Sequence, residues 1–147
     1  MSRTIEDVLE MWKIDAVIDD SKLDTEIIKI PMLHSKYLEY YIFFKKTLSS
    51  LESKKNKLSW VKRKYFRGEF NADDLKKHGW SQWNSLKPSS SELSQLLEFD
   101  QDLVDINRAI AEMKTSIAGV EYIFNQLKAR EYSLKTVFEY RKYLGGN

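Results

Sequence analysis

Residues 96–127 have the sequence LLEFDQDLVDINRAIAEMKTSIAGVEYIFNQL, which decides the fold class of the chain. Apolar side chains recur every three or four positions along it. The series is Leu96, Phe99, Leu103, Ile106, Ile110, Met113, Ile117, Val120, Phe124 and Leu127. This spacing is typical of one face of an α-helix that packs along another helix. We therefore predict a long helix within residues 91–130.

A second long helix precedes this one. Its four-and-three series is Tyr37, Tyr41, Phe44, Leu48, Leu51, Lys55, Leu58, Lys62 and Tyr65. Because two lysines stand in the series, we expect the packing to loosen at that end. The face extends backwards through Pro31, which should kink the helix, and Gly68 should end it. Two long helices with matching patterns predict an antiparallel helical hairpin.

Shorter elements flank the hairpin. Thr4 and Asp7 have the spacing of a helix-start box, which predicts a short N-terminal helix. A turn is expected after Lys128, with a last helix opened by Ser133. The prediction is one all-α domain over residues 1–147, divided into an N-terminal helix and a long basic-ended helix (1–68), a connecting segment (69–90), a long helix (91–130) and a C-terminal assembly helix (133–145).

The C-terminal helix is too short to be stable alone. Its apolar face must therefore pack either on the hairpin or on copies of itself in neighbouring chains. We favour assembly into a homo-oligomer, because the long helices already present full faces to each other. The predicted oligomerisation residues are Leu134, Val137, Phe138 and Leu144.

Composition gives little support for catalysis. The chain has no cysteine, which excludes disulfides and thiolate zinc sites, and its two histidines, His34 and His78, stand in unlike contexts. No glycine-rich nucleotide loop is present. We predict a non-enzymatic protein without metal or cofactor. The longest apolar run, Tyr40–Phe44, is too short for a membrane helix, and no secretion signal is visible, so we expect a soluble intracellular protein.

A basic stretch without acids lies at residues 53–68, although the whole chain carries a net charge of only +2. Its basic residues are Lys54, Lys55, Lys57, Lys62, Arg63, Lys64 and Arg67, and its aromatic residues are Trp60, Tyr65 and Phe66. Positive charge interleaved with flat side chains is typical of surfaces that bind single-stranded nucleic acid.

Helical spacing places Lys57, Trp60, Lys64 and Arg67 on one stripe. Their cations would neutralise phosphates, and Trp60 or Phe66 could stack on unpaired bases. We assign Tyr65 to the core, because it continues the apolar series, and leave Trp60 open between core and ligand. The predicted binding residues are Lys54, Lys55, Lys57, Trp60, Lys62, Arg63, Lys64, Phe66 and Arg67.

The order of several segments resembles the UvsY-type recombination mediators of large tailed bacteriophages. These segments are Val17-Ile18-Asp19-Asp20-Ser21-Lys22-Leu23, Met32-Leu33-His34-Ser35-Lys36-Tyr37-Leu38, Tyr65-Phe66-Arg67-Gly68 and Leu127-Lys128-Ala129-Arg130-Glu131-Tyr132-Ser133-Leu134-Lys135. The resemblance covers most of the chain, with residues 69–95 matching poorly. In the family, DNA binding is associated with the basic stretch, which here contains Lys57, Lys62, Arg63 and Lys64; Trp60 stands where the family pattern is basic.

The resemblance implies a ring-like homo-oligomer, of six or seven subunits, that acts in the host cytoplasm. It implies binding to single-stranded DNA and loading of the phage recombinase onto strands covered by single-strand-binding protein, in recombination, repair and recombination-dependent replication. The alternative that the residues leave open is a helical scaffold or adaptor whose basic stretch binds an acidic protein partner.

Overall fold

The computed structural model describes residues 3–83 and 86–145. It contains the helices α1 (Ile5–Asp15), α2 (Leu23–Phe66), α3 (Ala72–His78), α4 (Ser90–Phe99) and α5 (Gln101–Leu144). No β-strand occurs among these residues, which confirms the all-α fold class. None of the helices described is long and apolar enough to cross a membrane.

Local capping signals fix the ends of the short helices. The Thr4 hydroxyl accepts the backbone N–H of Asp7, whose carboxylate accepts the N–H of Thr4, as predicted. Asn71 and Asp74 form the same box at the start of α3. Two glycines in the left-handed conformation follow helix ends, Gly68 after α2 at φ 74° and Gly79 after α3 at φ 69°.

The long helices differ from the prediction at two places. α5 is continuous from Gln101 to Leu144, so the turn after Lys128 and the separate helix over 133–145 are wrong. Residues 129–133 contain neither glycine nor proline, and Ser133 alone does not interrupt the helix. The helix predicted over 91–130 is instead split at Asp100, and Phe99 is 78% exposed rather than packed.

α2 continues through Pro31, which lies inside the helix. Its N-terminal half and the C-terminal part of α5 belong to one compact unit, made of residues 1–47 and 113–147 (unit 1). Ile30 lies in a cluster with Leu134, and Tyr41 packs edge-on against Phe124 at 5.7 Å. A residue later in α2 thus contacts a residue earlier in α5, so the two helices run in opposite directions. This confirms the antiparallel hairpin.

Within unit 1, polar contacts at the C-terminal end of α1 hold this helix in place. The Arg130 guanidinium donates to the carbonyl oxygens of Asp15 and Ala16 at 3.0 and 2.9 Å, and it lies 5.1 Å from the centre of the Trp12 ring. Burial opposes the charged Asp15 carboxylate, but hydrogen bonds from Lys36 and Tyr37 outweigh it and lower the pKa of Asp15. The contacts join α1 to both long helices.

The second compact unit consists of residues 48–112 (unit 2). It contains the C-terminal part of α2, α3, α4 and the first turns of α5. The whole basic stretch of residues 53–68 lies in this unit.

Candidate nucleic-acid interface

The basic stretch occupies the last turns of α2 and the two residues that follow it. Lys54, Lys57, Trp60, Arg63 and Arg67 are exposed. Among the described residues, none of these four cations forms an ion pair with a carboxylate, and residues 53–68 contain no acid. Their charge is therefore available to an anion from solution. Lys55 is half-buried.

Trp60 lies among these cations with 59% of its surface exposed. The Lys64 ammonium lies 4.2 Å from the centre of the Trp60 ring, a cation–π contact that aligns the two side chains on the helix surface. An indole this exposed is not part of the core of the described chain, so the core alternative for Trp60 is excluded and its contact with a ligand stays a prediction. We define the basic stripe as Lys57, Trp60, Arg63, Lys64 and Arg67.

Lys62 does not face outward, and the expectation that it contacts a ligand is corrected by its burial. Only 7% of the residue is exposed. Its ammonium lies 3.1 Å from Asp100 Oδ1, 2.8 Å from Asp102 Oδ2 and 4.2 Å from the centre of the Trp80 ring. Burial disfavours the charged ammonium, but hydrogen bonds to Asp102 and Asp100 outweigh it and raise the pKa of Lys62.

Phe66 is likewise buried, with 7% of its surface exposed, so it is not available for stacking on a base. Its ring packs edge-on against Trp83 at 4.9 Å and against Tyr65 at 5.4 Å. The Tyr65 hydroxyl donates to the Ser81 carbonyl at 2.5 Å. The chain after α2 therefore folds back over this end of the helix and covers Phe66.

The aromatic side chains around this end form one group, which we call the aromatic cluster. Its members are Tyr65, Phe66, Phe70, His78, Trp80 and Trp83. The sequence contained a signal for it in the density of rings between residues 65 and 83. Their mutual contacts could not be derived, because the polar segment 69–83 has no periodicity that fixes which rings meet.

The residues predicted for oligomerisation divide in a similar way. Leu134 is buried in the chain itself, against Leu23 and Ile30 of α2, so its assignment to an intermolecular face is corrected. Val137 and Phe138, by contrast, are 40% and 41% exposed, and Leu144 is exposed as well. These three form the C-terminal face.

The described residues contain no group of three or more histidine, aspartate or glutamate side chains placed to hold a metal ion. The exposed side chains of the interface are the cations Lys54, Lys57, Arg63 and Arg67 and the indole of Trp60. Such groups bind anions and planar rings.

Comparison with known proteins gives concordant matches. A family model described as "Recombination, repair and ssDNA binding protein UvsY" matches residues 11–147. The recombination protein uvsY of Enterobacteria phage T4 is 22% identical over 142 residues, covering 97% of this chain and 98% of that protein.

Solved structures agree on the fold. A crystal structure of the bacteriophage T4 recombination mediator protein UvsY superposes with a TM-score of 0.78 at 21% identity, covering 95% of this chain and 96% of that one. A second crystal form of the same protein gives a TM-score of 0.78 over 93% of this chain and 98% of that one.

Proposed function

The chain belongs to the UvsY family of recombination, repair and single-stranded-DNA-binding proteins, and we propose that it binds single-stranded DNA through the basic stripe and acts as a recombination mediator. In this role it promotes loading of a phage recombinase onto strands covered by single-strand-binding protein. The observation that carries the proposal is the exposed, acid-free stripe at the end of α2.

The chemistry of the stripe suits a single strand better than a duplex. Lys57, Arg63 and Arg67 are exposed cations that would neutralise phosphates and release counterions. The exposed Trp60 ring offers a stacking surface, and only unpaired bases present a free π-face to it. Each base stacked on an aromatic side chain contributes about 1–3 kcal/mol.

The mediator role is supported by the description of the T4 protein as a recombination mediator, a protein with which this chain shares its fold. Recombinase and single-strand-binding protein are its proposed protein partners. The family description names recombination, repair and binding of single-stranded DNA, and the proposed role requires DNA binding without catalysis.

In a homo-oligomer, each subunit would contribute one basic stripe. We include in the proposal a homo-oligomer of six or seven subunits, built in part through the C-terminal face of Val137, Phe138 and Leu144. Their exposed apolar side chains are the kind of surface that proteins cover by association. Several stripes bound to one strand would convert weak contacts into tight binding by avidity.

The test is a salt titration with the variant Lys57→Gln/Arg63→Gln/Arg67→Gln and a dT oligonucleotide. If the three cations contact phosphates, the slope of log K against log salt becomes shallower by about 2, at roughly 0.7 per phosphate. The control Lys46→Gln/Lys114→Gln/Lys128→Gln removes equal charge from exposed positions of unit 1 and should keep most of the slope.

An unchanged slope in the stripe variant would reject the stripe as the binding site. Absence of binding by the wild-type chain even at low salt would reject DNA binding and favour the adaptor alternative, in which the stripe receives an acidic protein surface.

A further inference from the structure

Three rings of the aromatic cluster lie nearly parallel beyond the end of α2. Gly79 ends α3 in the left-handed conformation, and the Trp80 N–H then donates back to the Leu75 carbonyl at 3.0 Å. This turn brings the His78 and Trp80 rings to a centroid distance of 4.7 Å, with an interplanar angle of 21°. Residues two positions apart on a regular helix do not face each other and could not stack in this way.

Phe70 completes the group. Its ring lies 5.7 Å from Trp80 at an interplanar angle of 6°, and 5.5 Å from His78 at 24°. We call Phe70, His78 and Trp80 the ring platform. Phe70 and Trp80 are half-buried, whereas His78 is exposed to solvent.

Contacts within the protein fix the orientation of Trp80 in the ring platform. The Lys62 ammonium lies 4.2 Å from the centre of the Trp80 ring, and Asp100 and Asp102 fix that ammonium in place. Tyr65 packs against Trp80 as well, at 5.1 Å. The Trp80 ring, on which His78 stacks, is therefore already oriented. Little conformational entropy is lost when a base adds to this stack, so the site is preorganised.

Positive charge borders the exposed ring. Lys76 and Lys77 occupy the last turn of α3, directly before His78, and both are exposed. In the described part of the chain neither is engaged in an ion pair with a carboxylate. Of the nearby acids, Asp74 is engaged by its cap hydrogen bonds with Asn71. Cations beside an exposed ring are the pair of features that a nucleotide requires, one for its phosphate and one for its base.

We propose that the ring platform is a second contact for single-stranded DNA. A base stacks on His78, Lys76 and Lys77 neutralise the flanking phosphates, and buried Lys62 acts as a positioning residue through Trp80. The inference rests on the proposed function and extends its site beyond α2. Packing alone explains the buried Phe66, but it gives no reason for an exposed His78 ring that stacks on Trp80 and directly follows two exposed lysines.

The stacking contact is tested with His78→Ala, His78→Phe and two oligonucleotides, one of dT and one of abasic sugar-phosphate units. His78→Ala should weaken binding to dT by about 5- to 140-fold, whereas His78→Phe should bind within a few-fold of wild type. With the abasic strand, which has phosphates but no rings, wild type and His78→Ala should bind equally. A merely structural loss would weaken binding to both strands.

The phosphate contacts are tested by the salt slope of Lys76→Gln/Lys77→Gln. If both lysines contact phosphates, the slope becomes shallower by about 1.4. The matched control is Lys114→Gln/Lys128→Gln, which removes two exposed lysines from α5 in unit 1 and should alter the slope less.

The outcomes separate this inference from the proposed function. If wild type binds and the stripe variant is impaired, but His78→Ala and Lys76→Gln/Lys77→Gln match wild type and control, the ring platform is rejected and the stripe stands. If His78→Ala weakens the abasic strand as much as dT, the ring acts on structure and the stacking contact is rejected. If wild type fails to bind any single strand, the proposed function falls and this inference falls with it.

Discussion

The Lys62 ammonium is buried in unit 2, where it forms ion pairs with the carboxylates of Asp100 and Asp102. Asp100 is nearly buried with it, and Asp102 reaches it from the more exposed side. Asp100 also accepts the Leu103 N–H at 3.1 Å and so caps the start of α5. One side chain of the basic stretch therefore joins the end of α2 to the junction between α4 and α5.

We expect Lys62→Met to lower the free energy of unfolding by about 3 kcal/mol, because a nearly buried Asp100 loses its cation. Urea denaturation measures this loss. The matched variant Lys57→Met, on the exposed side of the same helix, should change it by no more than about 0.5 kcal/mol.

The same pair of variants separates a positioning role from a phosphate contact. The DNA salt slope should be retained in Lys62→Met and reduced by about 0.7 in Lys57→Met. A Lys62→Met protein of wild-type stability and reduced slope would show instead that this ammonium reaches a phosphate.

Among the elements, α5 is the one whose length differs most from expectation. Ser133 has the residue type of an N-cap, but in the structure it is an exposed position inside a continuous helix. Because α5 is unbroken, the C-terminal face lies on the same helix as Leu134, which packs on α2. The exposed Val137 and Phe138 are thus carried by an element that is already anchored.

Ser133→Ala distinguishes a continuous α5 from a separate C-terminal helix that Ser133 would cap. In a continuous helix, alanine is at least as favourable as serine, so stability should stay the same or rise by up to about 0.5 kcal/mol. Loss of an N-cap would instead cost about 1 kcal/mol. Chemical denaturation measures the difference, and a loss near 1 kcal/mol would contradict the continuous α5.

Helices and their antiparallel pairing could be predicted because burial of one face imposes its period on the sequence. The break at Asp100 could not, since Leu96, Phe99 and Leu103 keep the three-and-four spacing across it. Lys62 stands in the apolar series of α2, which was a signal for burial. Its carboxylate partners come from a distant part of the chain, and only the tertiary fold brings them near.

At the scale of the whole molecule, the proposed function depends on assembly. We expect Val137→Ser/Phe138→Ser to reduce the mass in solution, because these exposed side chains leave the monomer core intact while the C-terminal face loses apolar area. Light scattering measures the mass, and circular dichroism should show unchanged helix content.

Leu134→Ser provides the contrast. This side chain is buried within the chain, so its loss should destabilise the monomer by roughly 2–5 kcal/mol, as large-to-small core changes do. If Val137→Ser/Phe138→Ser retains the wild-type mass, the C-terminal face is not an assembly surface.

Because the tryptophans differ in exposure, quenching of the intrinsic tryptophan fluorescence can report DNA binding. Trp60 is exposed, whereas Trp12, Trp80 and Trp83 are each partly buried. A collisional quencher such as acrylamide therefore reaches Trp60 first, and a base stacked on that indole would shield it. The accessible fraction of the intrinsic fluorescence then reports occupancy of the basic stripe, without a dye attached to protein or strand.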